Sequence, residues 1–253
     1  MLTNYTRGAS CNSIRGMEAL QDFLDKIQRV RRRLGIEQHA AWYRGHSKQA
    51  YELLPGILRS REGLRHEWNL YAHFKSRSGE LVERSVGSWE LLARMQHHGM
   101  PTRLLDWTED LNTALYFALA NPIPEPVIWV LNPYDLNSRS VGKAVVFDEA
   151  DHLGFDYAEA AKARQWPNKI PIAMKTPWRS SRIAAQSGGF TCHGQAPEPV
   201  NALGDSALKK IVIPPKLVNA LQADLKRSGI DDFKMFPDLD GLSKALRKQF
   251  GFP

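Results

Sequence analysis

Cysteine is nearly missing from this 253-residue chain, which has only Cys11 and Cys192. Two such residues make neither a disulfide framework nor a metal-ligand spacing, and they point to a reducing, cytoplasmic setting. No apolar run approaches the roughly 20 residues that span a bilayer. The first twenty residues, MLTNYTRGASCNSIRGMEAL, hold no apolar core of signal-peptide type. No pair of histidines falls in an H-x-x-x-H or H-E-x-x-H spacing, so no metal site is expected. Repeats, low-complexity segments and linkers are absent too, which leaves one domain over residues 1–253 as the economical reading. Acidic charge is also in deficit. Lys and Arg number 34 against 27 Asp and Glu, a net charge of +7, which favours polyanionic partners over a membrane-spanning role. Within residues 1–50, nine basic residues face four acidic ones, and Arg29, Arg31, Arg32 and Arg33 are almost contiguous. That run is either a solvated helix end, where cations suit the dipole, or an anion- or nucleic-acid-binding patch.

What is present alternates between helix and strand periods. Met17, Leu20, Phe23, Leu24, Ile27, Val30 and Leu34 recur at helical steps that end near Gly35. Leu64, Trp68, Tyr71 and Phe74 make a second helical stripe, and Trp89, Leu92 and Met95 a third that stops at Gly99. Leu111, Leu115, Ala118 and Leu119 form a fourth, closed by Pro122. Short apolar runs at 127–131, 144–147, 170–174 and 210–213 read as strands, and 148–169 as a loop with a short helix. Pro215 opens one further helix and Asp238 N-caps another. The expected fold is α+β, with a mixed or antiparallel sheet and surrounding helices.

Chemistry-bearing residues gather in three stretches. The first is a short apolar strand that delivers Arg44, between Tyr43 and Gly45, to its end. An arginine there needs an anion, either a ligand phosphate or a structural carboxylate such as Asp106. Gly45 permits close approach of a ligand or of another backbone. The second stretch, QHHGMPTRLLDWT at 96–108, brings together Gln96, His97, Thr102, Arg103, Asp106 and Trp107. His97 or His98 can serve as a base near neutrality. Asp106-Trp-Thr-Glu109 also has the spacing of a capping box, with Asp106 as the N-cap of the following helix. If 103–106 is extended, Arg103 and Asp106 face opposite ways. The third stretch, RIAAQSGGFTCHG, sets Arg182 and Gln186 on one helical face ahead of two glycines and a strand opening at Phe190. Trp42, Tyr43, Trp107 and Trp178 can stack a base, although seven tryptophans mostly belong to a core.

Together YRG at 43–45, QHHGMPTRLLDWT with the ALYFAL helix, RIAAQSGGF, and the closing KIVIPP and MFPDLDGL resemble the FRG domain family over roughly residues 15–248. That resemblance implies a bacterial domain of mobile elements and phage-defence neighbourhoods. A weaker resemblance, of the Y-R-G strand alone, is to ADP-ribosyltransferases. It implies Arg44 on the pyrophosphate of NAD and the 102–107 corner lining the nicotinamide pocket. The chain departs from that pattern. It has no S-T-S after a strand, and Gln186 stands where a glutamate is expected. Glutamine hydrogen-bonds ribose but supplies no negative charge, so that charge falls to Asp106. The expectation is a nucleotide- or NAD-directed transferase or glycohydrolase acting as a toxin or defence effector. Arg44, Asp106 and Gln186 would be catalytic. Tyr43, Gly45, Gln96, His97, Thr102, Arg103, Trp107, Arg182 and Phe190 would contact the ligand, with NAD as substrate and no metal. The alternative is a non-catalytic nucleic-acid- or nucleotide-binding sensor using the Arg29–Arg33 run.

Overall fold

The computed structural model describes residues 6–36, 41–120, 125–147, 153–175, 180–186, 188–203 and 206–252. Pro122 and Trp178 therefore lie outside the described residues. In chain order the elements are α1 (Thr6–Arg33), β1 (Trp42–His46), α2 (Gly63–Arg77), α3 (Ser88–His97), β2 (Leu104–Thr108), α4 (Leu111–Leu119), β3 (Val127–Leu131) and α5 (Pro133–Val141). They continue with α6 (Tyr157–Ala163), β4 (Ile172–Met174), α7 (Ser181–Ala185), β5 (Gly188–Cys192), β6 (Leu208–Val212), α8 (Val218–Arg227), α9 (Asp232–Met235) and α10 (Leu239–Gln249). The class is α+β, as the alternating periods predict. The chain divides into two compact units interleaved in sequence: Met1–Tyr51, Asp110–Leu131 and Lys209–Pro253 form the first, and Glu52–Glu109 with Asn132–Leu208 the second. No helix among the described residues is long and apolar enough to cross a membrane.

In the first unit β1 and β3 pair antiparallel, from Trp42↔Leu131 to His46↔Val127, and β6 lies beside β3. The apolar stripe of α1 docks Phe23 and Ile27 into a core shared with Tyr43, Leu115 and Leu119 of α4, Ile128 and Val130 of β3, and Leu221 and Leu225 of α8. The α1 helix ends on Arg31, Arg32 and Arg33. Gly35 follows with φ +63°, a left-handed value that glycine adopts without strain. In the same unit, Tyr116 donates to Asp232, which Lys244 and Lys248 also engage. Those partners hold the buried Asp232 carboxyl down at about 2 against the cost of its burial.

In the second unit β5 pairs antiparallel with both β2 (Leu104↔Cys192 to Thr108↔Gly188) and β4 (Ile172↔Cys192 to Met174↔Phe190). Tyr71, Trp89, Leu92, Met95, Tyr157 and Trp166 pack with Phe190 and Ile172 in its core. One expectation is corrected here, and one helix is added. Residues 144–147 form no strand beyond a single bridge, Phe147↔Met174. The Val145 carbonyl instead accepts from Asn137 Nδ2 at 2.5 Å, and Asn137 also exchanges hydrogen bonds with Ala173 of β4. Asn137 belongs to α5, a helix that the apolar periodicity does not predict. It is capped by Asn132, opened by Pro133 and closed by Gly142 at φ +72°.

Candidate functional site

The QHHGMPTRLLDWT stretch forms the end of α3, a turn and strand β2. Leu104, Leu105, Trp107 and Thr108 are buried and Asp106 alone is exposed. The helix that follows is capped by Asp110, whose carboxylate accepts from the Asn112 and Thr113 N–H groups. The capping-box assignment of Asp106 is thereby corrected, because a residue paired mid-strand with Phe190 cannot also sit at a helix Ncap.

What holds Asp106 is Gln96. Its Nε2 lies 3.2 and 3.0 Å from the two carboxylate oxygens, and its Oε1 accepts from Thr102 Oγ1 at 2.5 Å. Thr102 is itself sealed from solvent and accepts from the Leu104 N–H at 3.1 Å. The order Thr102, Gln96, Asp106 fixes which end of the glutamine amide faces the carboxylate, since the amide nitrogen is the only end that donates. The result is a solvent-facing carboxylate on a strand, with both of its oxygens within reach of the Gln96 amide.

Arg103, on the opposite face of the same segment, is 5% exposed. Its Nε meets Glu67 Oε1 at 2.5 Å, and its Nη1 donates to the carbonyl of Gly194 at 2.6 Å. Its plane stacks 4.0 Å from the centroid of the Trp166 ring. Tyr157 donates to the same Glu67 oxygen at 3.1 Å, and burial with that carboxylate raises its hydroxyl pKa well above the ordinary value. A ligand phosphate at Arg103 would have to displace Glu67 from a dry interior, where an uncompensated carboxylate is costly. Next to this pair, burial pushes the Cys192 thiol up to about 12, which makes it inert. Burial, reinforced by the Arg103 charge, depresses His193 to about 3.

The other residues of the second and third stretches fall around β2 and β5. Thr108 Oγ1 donates to the backbone carbonyl of Gln186 at 2.6 Å, and Trp107 Nε1 to Thr191 Oγ1 at 3.0 Å. Trp107 and Phe190 are both buried. Arg182 Nη1 donates to the His97 carbonyl at 3.3 Å, so α7 is tied to the end of α3. The rings of His97 and His98 meet edge to face at 4.9 Å. Among the described residues no group of His, Cys, Asp and Glu could hold a metal ion.

Tyr43, Arg44 and Gly45 belong to the first unit. A Cβ on Gly45 would stand 1.9 Å from the Ala114 carbonyl oxygen, so the close approach this glycine permits is that of the α4 backbone. Arg44 is half-buried, and its Nε donates to His46 Nε2 at 3.0 Å, which requires the imidazole to be neutral at that nitrogen. Tyr43 is buried with its hydroxyl pKa raised, chiefly by desolvation, and Arg31 hydrogen-bonds it. One of the four clustered arginines is thus spent on the Tyr43 side chain, while Arg29, Arg32 and Arg33 are exposed.

Sequence reasoning missed Glu67, although its position gave it away. It shares the helical stripe of Leu64, Trp68 and Tyr71, and a carboxylate on a buried stripe implies a buried cation. In comparisons with known proteins, residues 39–126 match the family model described as FRG domain. That span takes in the first two of the three stretches and ends before the third. Searches of curated proteins and of solved structures find no match.

Proposed function

From a chain that carries an FRG domain at residues 39–126, we propose an enzyme directed at NAD or a related nucleotide, a transferase or glycohydrolase acting at the glycosidic bond. The observation that supports this reading most is Asp106, the one exposed residue of an otherwise buried strand, with its carboxylate gripped by Gln96. Cleavage of an N-glycosidic bond builds positive charge on the sugar. A fixed carboxylate stabilises that charge more in the transition state than in the ground state. Orientation by Gln96 and Thr102 is settled before the substrate arrives, so no reorganisation is charged to the reaction step. The reading assigns ribose to Gln186 and leaves Arg103 to the interior. Its cellular role would be that of a bacterial toxin or phage-defence effector.

The test is consumption of NAD and of other nucleotides by purified protein, followed by mass spectrometry, with Asp106→Asn and Arg44→Ala alongside. Turnover lost by at least about a hundredfold in a folded Asp106→Asn variant is the expected result. Turnover unchanged in that variant, or no turnover of any nucleotide by the parent chain, ends the proposal.

A second reading, a nucleic-acid-binding module, draws on Arg29, Arg32 and Arg33, which are exposed over the last turns of α1. It calls for salt-dependent binding to DNA or RNA with no loss of nucleotide.

A further inference from the structure

Away from Asp106, the second unit contains a half-open cavity of about 640 Å³ between the C-terminal half of α2, the turn after it and the end of α3. Its walls are Leu70 and Phe74 of α2, Leu81 and Val82 of the turn, and Met100 just beyond α3. The turn is set by its own backbone: the Leu81 and Val82 N–H groups both donate to the Ser78 carbonyl at 2.8 Å, and Ser78 N–H to that of Phe74 at 3.0 Å. Leu81 is 86% exposed, an apolar side chain kept at the lip of the hollow with nothing over it among the described residues. The volume falls within the range of about 300–1,000 Å³ usual for small-molecule pockets.

Two arginines also line this hollow, Arg77 in the last turn of α2 and Arg94 on α3, together with the imidazoles of His73 and His98. Arg94 is held by Glu90, with Nη2 at 2.6 Å from Oε1. Arg77 forms no ion pair among the described residues. Basic residues in a last turn complement the helix dipole by about 0.3–1 kcal/mol, which accounts for their sign. It does not account for the apolar walls beside them, where Leu70, Phe74, Val82 and Met100 are only partly buried around a concave surface of the kind that takes small molecules. The character of the wall decides the occupant. Four of its five apolar side chains are aliphatic or thioether and one is aromatic, which suits a flexible hydrocarbon chain better than a stacked base. At the lip, the planar fork of Arg77 suits a carboxylate or phosphate.

We propose that this cavity binds an acyl chain in its apolar interior, with the anionic head group of that chain on Arg77. A free fatty acid and a single-chain phospholipid share this chemistry, and the assay separates them.

The experiment titrates dodecanoate, below its micelle concentration, into the full chain by calorimetry and by the methyl resonance of Met100. Dodecyltrimethylammonium, dodecanol and a lauroyl lysophosphatidylglycerol serve as parallel arms. Saturable one-to-one binding of dodecanoate that shifts Met100, with the cationic chain at least tenfold weaker, is the expected result. Arg77→Glu weakens dodecanoate at least tenfold, and Val82→Trp, which fills the hollow, abolishes its binding. Leu81→Trp at the exposed lip replaces Val82→Trp if the latter misfolds, and circular dichroism checks all variants. Tighter binding of the lysolipid than of dodecanoate identifies a lipid as the source, and the reverse identifies a free acid; both orders uphold the proposal. No saturable binding, equal affinity for the cationic chain, or dodecanoate binding unchanged in Arg77→Glu and in the filled variant overturns it.

Discussion

Arg103 and Asp106 sit three residues apart on one extended segment and face opposite ways, the arginine into an ion pair with Glu67 in the core and the aspartate into solvent. Two residues that look like one polar cluster in the sequence therefore have different duties. Both side chains of the Arg103–Glu67 pair are at most 6% exposed, so removing one leaves an uncompensated buried charge. Glu67→Gln and Arg103→Met should each destabilise the chain by about 3–5 kcal/mol. The double variant Glu67→Leu/Arg103→Met should recover part of that loss. Urea unfolding of the three variants checks this, and a near-neutral single variant would show that the pair is solvated.

Asp106 should behave in the opposite way. Its strand position is exposed and its hydrogen bonds to Gln96 lie at the surface, so Asp106→Asn is expected to change stability by no more than about 1 kcal/mol. Asp110 carries the capping role instead, and Asp110→Ala should cost about 1 kcal/mol, in line with a missing N-cap. Melting curves for both variants, read with the nucleotide assay, separate a residue that holds the fold from one proposed to act on a ligand.

Acid sensitivity should trace in part to His193. Its ordinary value is 6.5 and the folded chain holds it near 3, so between those values the unfolded chain carries a proton that the folded chain refuses. Stability from this group is complete above pH 6.5 and is lost as pH falls, by about 1.4 kcal/mol per unit. Asp232, depressed from 3.8 to about 2, loses its contribution only below pH 4, in the same direction. Imidazole resonances read between pH 8 and 4.5 should show His193 not titrating in the folded protein. A midpoint near 6.5 for that residue would refute the assignment.

How much was legible in the sequence depended on whether the signal was local. The stop of α3 at Gly99, with φ +79°, and the Asp238 cap of α10, which accepts from the Gly241 N–H, are written in a few adjacent residues. Strand β2 is not. Asp106 interrupts its apolar run, and its partner β5 begins with two glycines, poor strand formers. The pairing becomes evident only once residues 80 to 88 positions apart, Thr108↔Gly188 to Leu104↔Cys192, are in register. Helix α5 shows the converse: Asn132-Pro133 and Gly142 bracket it clearly, but its apolar residues are too few to make a stripe. The Asp106 relay was half legible. Gln96, Thr102 and Asp106 all stand out in the sequence as polar groups of one stretch, yet the order in which they bond depends on the strand that the sequence conceals.

Gly45 offers a test of how β1 meets α4. An added Cβ would fall 1.9 Å from the Ala114 carbonyl oxygen and 2.7 Å from the Ala118 nitrogen. Both are backbone atoms that no rotamer change can move aside. Gly45→Ala should therefore force strand and helix apart and destabilise by at least about 1–3 kcal/mol. Gly79→Ala, whose new carbon would meet only the Ser76 carbonyl at an ordinary 3.8 Å, is the control and should be close to neutral. Equal melting temperatures for the two variants would mean that α4 does not pack on the strand as described.

The clustered arginines can be separated by what each one touches. Arg29, Arg32 and Arg33 are exposed, whereas Arg31 hydrogen-bonds the buried Tyr43. If the end of α1 binds nucleic acid, changing the three exposed arginines to glutamine should weaken duplex binding. It should also flatten the dependence of log affinity on log salt by about 0.9 for each phosphate no longer neutralised. Arg31→Gln should instead lower thermal stability and leave the salt slope unchanged, because its guanidinium is engaged inside the unit. Fluorescence anisotropy across a salt series measures the slope and a melting curve the stability. An unchanged slope in the triple variant would return the basic run to its simpler role, cations that complement the C-terminal dipole of a long helix.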